Sequence, residues 1–302
     1  MKKMKISGFT MVRDAIRFDY PAEESISSLL PLVDEMIVNV GECSDGTLAM
    51  VKAIGDPKIR IMERDWGRNE GSGGTVHAAE TNAALAECSG DWCFYIQADE
   101  VVHEDDLPLV RGCCERNLED ERVEGLLFDY LHFYATYSTY QTARNWYKHE
   151  VRLIRNGIGL TAFRGAQGFR RNGVEKPRVV KSGARIFHYG WVREPAKMLA
   201  KQKAFDAIYH SPEWVEKRYA DARDIFDYGD ISGLAKFTGD HPAVMQARIA
   251  ATTWQPGFEG WFDHKHTHWY IRLLSKLENA LFGDRIGGYR NYVLIKEKNP
   301  GK

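Results

Sequence analysis

No stretch of this chain approaches the roughly 20 consecutive apolar residues that a membrane-spanning helix needs. No C-x-x-C pair occurs among the five cysteines (Cys43, Cys88, Cys93, Cys113, Cys114), which speaks against a zinc site. The odd count fits a reducing compartment better than a disulfide framework. Charge of one sign is missing too. Forty-one Lys and Arg offset 42 Asp and Glu, leaving a net −1, so there is no global electrostatic case for nucleic acid. The basic start, Met1-Lys2-Lys3-Met4-Lys5, lacks the longer apolar stretch of a signal peptide. A soluble cytoplasmic protein is the expectation. No G-x-G-x-x-G follows the first apolar strand and no G-x-x-x-x-G-K-[ST] occurs, which removes the usual dinucleotide fold and the P-loop.

What is there is a core-forming chain of 302 residues, 44% hydrophobic, enough for one large domain or two modest ones. Eight Trp and 14 Tyr suggest large planar groups packed in clefts or interfaces. Apolar periodicity predicts strands over 5–12, 35–40 and 58–62, with helices over 21–33 and 47–55 between them. A glycine loop at Gly71-Ser72-Gly73-Gly74 precedes a helix through Ala78, Ala84 and Leu85, which ends near Ser89-Gly90. A further strand starts at Trp92. Such alternation predicts a parallel, doubly wound α/β sheet.

That last strand, Trp92-Cys93-Phe94-Tyr95-Ile96-Gln97-Ala98-Asp99-Glu100, is apolar until it ends in two carboxylates. In open α/β sheets ligands bind at the strands' carboxyl edge. Asp99 and Glu100 are placed there to hold a hard divalent cation and, through it, a diphosphate. The plainer alternative is a strand ending in a solvated acidic loop.

Asp34-Glu35-Met36-Ile37-Val38 leading to Ser44-Asp45-Gly46-Thr47, then Gly90-Asp91-Trp92 leading to Gln97-Ala98-Asp99-Glu100, resembles family 2 glycosyltransferases of the GT-A fold over about residues 1–110. The resemblance implies a nucleotide-sugar donor, a UDP-sugar favoured, a bound Mn2+ or Mg2+, and transfer with inversion to a glycan, lipid-linked or other hydroxyl acceptor. It implies a mostly parallel sheet flanked by helices over 1–192, with a nucleotide-binding half (1–110) and an acceptor half (111–192); from Arg193 the residues themselves read as a helical C-terminal region over 193–302. Asp99 is the expected metal acid. Thr10, Met11, Arg13, Asn39, Glu42, Asp45, Gln97 and Ala98 are the expected donor contacts, and Glu100 is expected to orient the donor sugar. The family's first acid is Gln97 here, and Val40 stands where an acid usually meets the base.

Downstream, Glu104-Asp105-Asp106 is expected to cap a helix within 101–120, and 124–135 to be a strand. Tyr134–Trp146 reads as an aromatic polar loop, for stacking on sugar rings or for packing. Glu150-Val151-Arg152-Leu153-Ile154-Arg155 resembles the family's "RLFRxG" strand. Arg152 and Arg155 are expected on one face, to hold a phosphate or carboxylate or simply to meet solvent. The family's "VHE" base is absent from 163–168, which leaves Glu175 as the nearest acid. A strand over 178–192 ends in His188-Tyr189-Gly190-Trp191, where the resemblance makes His188 a metal ligand.

From Arg193 helices are expected over 195–209 and 213–226, another from Pro242, and an amphipathic one over 267–282. The apolar stripe of that last helix is expected in the core or a dimer contact, with a membrane surface as the other use. The histidines at 264, 266 and 268 are expected to be solvated. Two rivals stand beside the enzyme. A nucleotidyltransferase would want a Gly-rich basic loop where Phe9–Asp14 stands. A catalytically degenerate GT-A protein would only bind nucleotide-sugar or scaffold.

Overall fold

The computed structural model describes residues 3–67, 73–220, 224–257, 264, 268–282 and 290–298. Gly71 and Ser72 of the expected glycine loop lie outside them. So do 221–223 of the helix expected over 213–226, residues 258–263 of the aromatic stretch, and Lys265, His266 and Thr267.

The chain opens as β1 (Ile6–Val12), α1 (Ala22–Leu29), β2 (Glu35–Gly41), α2 (Thr47–Ala53), β3 (Ile59–Arg64), α3 (Thr75–Ala86) and β4 (Trp92–Tyr95). The four strands lie side by side as β4-β1-β2-β3, all parallel, as the alternation predicts. Parity sorts their side chains. Trp92, Phe94 and Ile96 join the core under α1 and α2, with Ile26, Leu29 and Val51. Cys93 and Tyr95 join Phe9 and the Ala84–Leu85 stretch of α3 on the other face. Both faces are covered, so the strands are apolar throughout rather than alternating.

The chain then passes through β5 (Glu100–Val102), a 3-10 turn at Glu104–Asp106, α4 (Leu107–Arg116), β6 (Gly125–Tyr134), β7 (Thr136–Gln141) and β8 (His149–Arg155). A separate hairpin of β9 (Leu160–Phe163) and β10 (Gly168–Arg171) leads to the long β11 (Arg178–Trp191). β8 runs antiparallel to β4 and to β6, and β11 runs parallel to β6 and antiparallel to β5. The α/β sheet is thus parallel on the β1–β4 side and mixed beyond it. The expected aromatic loop over 134–146 is partly strand. Its Trp146 packs on Tyr134 and Trp191, the packing alternative rather than an open stacking surface.

The last third holds α5 (Pro195–Tyr209), α6 (Pro212–Arg218), β12 (Ala235–Lys236), α7 (Gln246–Ala250), α8 (Trp269–Phe282) and β13 (Val293–Leu294). It is mainly helical, but β12 extends the sheet beside β7 and β13 pairs with β11. The apolar stripe of α8 does not enter the core: Trp269 is 74% exposed and Leu281 69%. No helix among the described residues is long and apolar enough to cross a membrane.

Candidate active site

Asp99 follows β4 at the carboxyl edge of the parallel strands, and β11 brings His188 to it. Asp99 Oδ2 lies 3.8 Å from His188 Nε2. The backbone fixes this approach, since the Tyr189 N–H donates to the Asp99 carbonyl at 2.8 Å. Gly190 follows. A Cβ there would stand 2.5 Å from His188 Nε2 and 2.8 Å from Asp99 Oδ2, so glycine keeps a gap open between the two groups.

A second histidine sets the chemistry of the first. β6 and β11 pair in register at His132 and His188, and their Nδ1 atoms are 2.9 Å apart. His132 Nε2 lies 2.7 Å from the Tyr147 carbonyl, which only accepts. His132 therefore donates from Nε2 and accepts at Nδ1, and His188 donates from Nδ1. That leaves the His188 Nε2 lone pair facing Asp99 and the Gly190 gap. Burial is the main force lowering both histidines below their ordinary value, so both rings are neutral at pH 7. A ring held by a partner at its far nitrogen, with a free lone pair on the near one, is the usual form of a metal-bound histidine.

Two buried cations complete the group. Lys201, on α5, places Nζ 3.7 Å from Asp99 Oδ2 and donates to the Gly190 carbonyl at 2.7 Å. Arg193 donates to the same carbonyl at 2.7 Å and lies over the Tyr20 ring. Its Nε and Nη2 are buried without a protein partner. Burial and Arg193 pull the Lys201 ammonium down to about 7, against Asp99. Burial raises the Asp99 carboxyl, but His188, Lys201 and Arg193 together hold it below the usual carboxylate range.

Asp99 and His188 are one carboxylate and one imidazole, a donor set that suits Mn2+ or Mg2+ once substrate phosphates fill the remaining positions. No cluster of His, Cys, Asp and Glu large enough to hold an ion without such help occurs among the described residues.

Other expected residues are occupied elsewhere. Glu100 is fully buried. Arg152 grips both its oxygens at 2.8 Å, and the Tyr130 hydroxyl donates to it at 2.8 Å, so it is an internal anchor and not a sugar-orienting acid. Arg152 and Arg155 do not share a face, because residues three apart on a strand point oppositely. Arg155 lies on the Trp92 ring and donates to the carbonyls of Asn117, Leu118, Asp120 and Val123, so neither arginine is left for a phosphate.

Glu175 is exposed and bound to Arg171, which also bonds Glu124 beside the Arg178 end of β11. Arg178 is ten strand residues from His188, about 30 Å at ~3.3 Å per residue, so Glu175 is not part of this site. Asn39 spends its amide on Glu80 and on the Trp66 indole, and Asp45 accepts from Arg17 N, Thr47 N and the Thr47 hydroxyl. Both are structural as they stand, and Thr10 is buried within β1. Met11 is half-buried, and its sulfur accepts from the Thr81 hydroxyl at 3.5 Å. Gln97 reaches the Ala166 carbonyl at 3.4 Å, and Ala98 packs on the core. Arg13 and the exposed Glu42 remain at the strand ends. His264 is not solvated but buried between Tyr134 and the Asp227 carbonyl.

No protein-family model matches the chain. A 72-residue segment is 38% identical to the succinoglycan biosynthesis protein ExoO of Rhizobium meliloti (strain 1021), taking in 24% of this chain and 19% of that protein. The chain thus matches about a fifth of that curated relative. Among solved structures, S. aureus TarS overlays with a TM-score of 0.36 at 14% identity, over 51% of this chain and 29% of that one. Glucosyl-3-phosphoglycerate synthase from Mycobacterium tuberculosis, solved with Mn2+, UDP and glucosyl-3-phosphoglycerate, gives 0.31 at 21%, over 43% and 44%. Mannosyl-3-phosphoglycerate synthase from Rubrobacter xylanophilus gives 0.31 at 22%, over 43% and 41%.

Sequence reasoning missed His132, Arg193 and Lys201, and noted Gly190 only as the glycine that follows His188. Lys201 did leave a trace, a charge within the apolar spacing of Met198, Leu199 and Phe205. His132 left none beyond its place in a strand.

Proposed function

We propose that this chain is a glycosyltransferase that moves a sugar from a UDP-sugar to a hydroxyl acceptor with inversion, in the synthesis of a cell-surface polysaccharide, lipopolysaccharide or glycoconjugate. The observation that carries the reading is the buried Asp99–His188 pair across the Gly190 gap, with Lys201 and Arg193 beside it at the carboxyl edge of a parallel sheet. The order of motifs from Asp34 to Glu100 supports it, as does the segment similar to a protein named for succinoglycan biosynthesis.

In this reading Asp99 and His188 Nε2 would hold a divalent ion, which would offset the charge that grows on the departing nucleoside diphosphate. The chain's own cations share that task. Lys201 and the unpartnered Nε and Nη2 of Arg193 are donors for diphosphate oxygens, fixed before the reaction begins. Tyr20, under both cations, excludes water from them. The bond from the anomeric carbon to the diphosphate breaks as the acceptor hydroxyl oxygen attacks in line from the opposite side, its proton passing to solvent and the nucleoside diphosphate leaving.

The test is release of UDP from UDP-sugars with Mn2+, comparing the natural chain with Asp99→Asn. A loss on the order of 10²–10³ in rate at unchanged far-UV circular dichroism is expected. Full rate for the variant at saturating donor would refute the assignment of Asp99. No turnover of any donor by the natural chain would favour the scaffold alternative.

A further inference from the structure

α8 is docked the wrong way round for a core helix. Its inner face, beside Ile271, is fastened by polar contacts: Ser275 accepts from the Arg144 backbone N–H at 2.9 Å, Glu278 pairs with the Arg144 guanidinium at 3.1 Å, and Asn279 donates to the Thr142 carbonyl at 3.3 Å. These bonds fasten the helix to the loop between β7 and β8. Its outer face is apolar. Trp269, Tyr270, Leu273, Leu274, Leu277 and Leu281 are each 40% exposed or more, and at 100° per residue they fall on one continuous side. Lys276 is exposed at the edge of that side, and Arg272 lies at the flank, paired with Asp230.

A surface of this kind is not left in water without a use. A second copy of the chain is the weaker occupant. The helix has 14 residues, so it is about 21 Å long and about 10 Å wide, and its outward face amounts to a few hundred Å2 against ~800 Å2 per partner in a stable interface. The stripe is also broader than the narrow seam by which helices pair. A lipid surface needs neither matched shape nor large area. It favours a wide apolar face with Trp and Tyr at the headgroup level and lysine at the rim.

We propose that α8 is an in-plane membrane anchor, which lays its outer face on the surface of an anionic bilayer, with Lys276 meeting lipid headgroups at the rim. The contact does not depend on the glycosyl-transfer reading, since the helix lies outside the Asp99 group. It does tie the membrane to the site through one loop. The segment that α8 grips at Thr142 and Arg144 continues to Tyr147, whose carbonyl orients His132.

The test is flotation of the full chain with phosphatidylcholine vesicles, with and without phosphatidylglycerol. The chain is expected to float with the anionic vesicles and less with the neutral ones. The double variant Leu273→Glu/Leu277→Glu should lower the bound fraction on the order of tenfold. Lys276→Glu should weaken binding to anionic vesicles alone. Both changes are at exposed positions, so unchanged thermal unfolding is the control for folding. No flotation with either vesicle would overturn the proposal, and so would a dimer in sedimentation equilibrium that the double variant dissolves while vesicle binding stays absent. Equal binding to both vesicles, untouched by Lys276→Glu, would overturn the headgroup contact.

Discussion

Glu100 and Arg152 are 0% and 1% exposed, so neither charge can turn to water if the other is removed. Arg152→Met should therefore cost about 3–5 kcal/mol in urea unfolding, because it strands a buried carboxylate. A cost near zero would mean that Tyr130 and the Gln97 backbone N–H suffice to hold Glu100. This residue was visible in the sequence only as an acid beside Asp99. Its partner lies 52 positions away, and nothing local distinguishes a carboxylate facing a cleft from one facing an arginine. His132 acts through His188. His132→Phe removes the acceptor of the His188 Nδ1 proton and frees the ring to change tautomer or turn. It should weaken Mn2+ binding in the presence of UDP by roughly 10–100-fold, read by calorimetry, with the fold intact. Unchanged affinity would show that His188 needs no second ring.

Two local features stand out among the elements. Gly190 lies within β11, one residue before its end, and Gly190→Ala would put a methyl group into the space between Asp99 and His188. Binding of UDP with Mn2+ should fall steeply while the melting temperature holds. Asp45 begins α2. Burial opposes its ionisation, but the bonds from Arg17 and Thr47 win, and its carboxyl lies below the ordinary value of 3.8. A carboxylate depressed in the folded state stabilises fully above its unfolded value and loses that contribution as pH falls through the folded one. The Asp45→Ala cost, ~1 kcal/mol for the lost hydrogen bonds from Arg17 and Thr47, should thus be constant above pH 5 and shrink below about pH 4. The parallel strands were legible as apolar runs, and Asp99 and His188 as polar residues toward the ends of such runs, although β4 stops at Tyr95 and β11 continues past His188 to Trp191. The direction of α8 was not. Its spacing gives a stripe, but only the polar docking of Arg144 on Ser275 and Glu278 turns that stripe outward.

At the scale of the molecule, residues far apart in sequence share one small volume. Asp99 comes from the parallel half, His132 and His188 from the mixed half, and Arg193 and Lys201 from the helical C-terminal third, whose role the sequence did not show. A cut at 192/193 would take away both cations, so a 1–192 fragment should not bind nucleotide even where it folds. Composition gave no global electrostatic case for nucleic acid and no apolar run of membrane-span length, but it could not reveal a site whose charges nearly cancel. The most direct test of the central claim is a thermal-shift panel of nucleoside diphosphates, with and without Mn2+, on the natural chain and on Asp99→Asn. Ligand bound by the folded state alone should raise the melting temperature by a few degrees for UDP with metal, and Asp99→Asn should abolish the rise. No shift with any nucleotide, or an equal shift in the variant, would contradict a donor site built around Asp99.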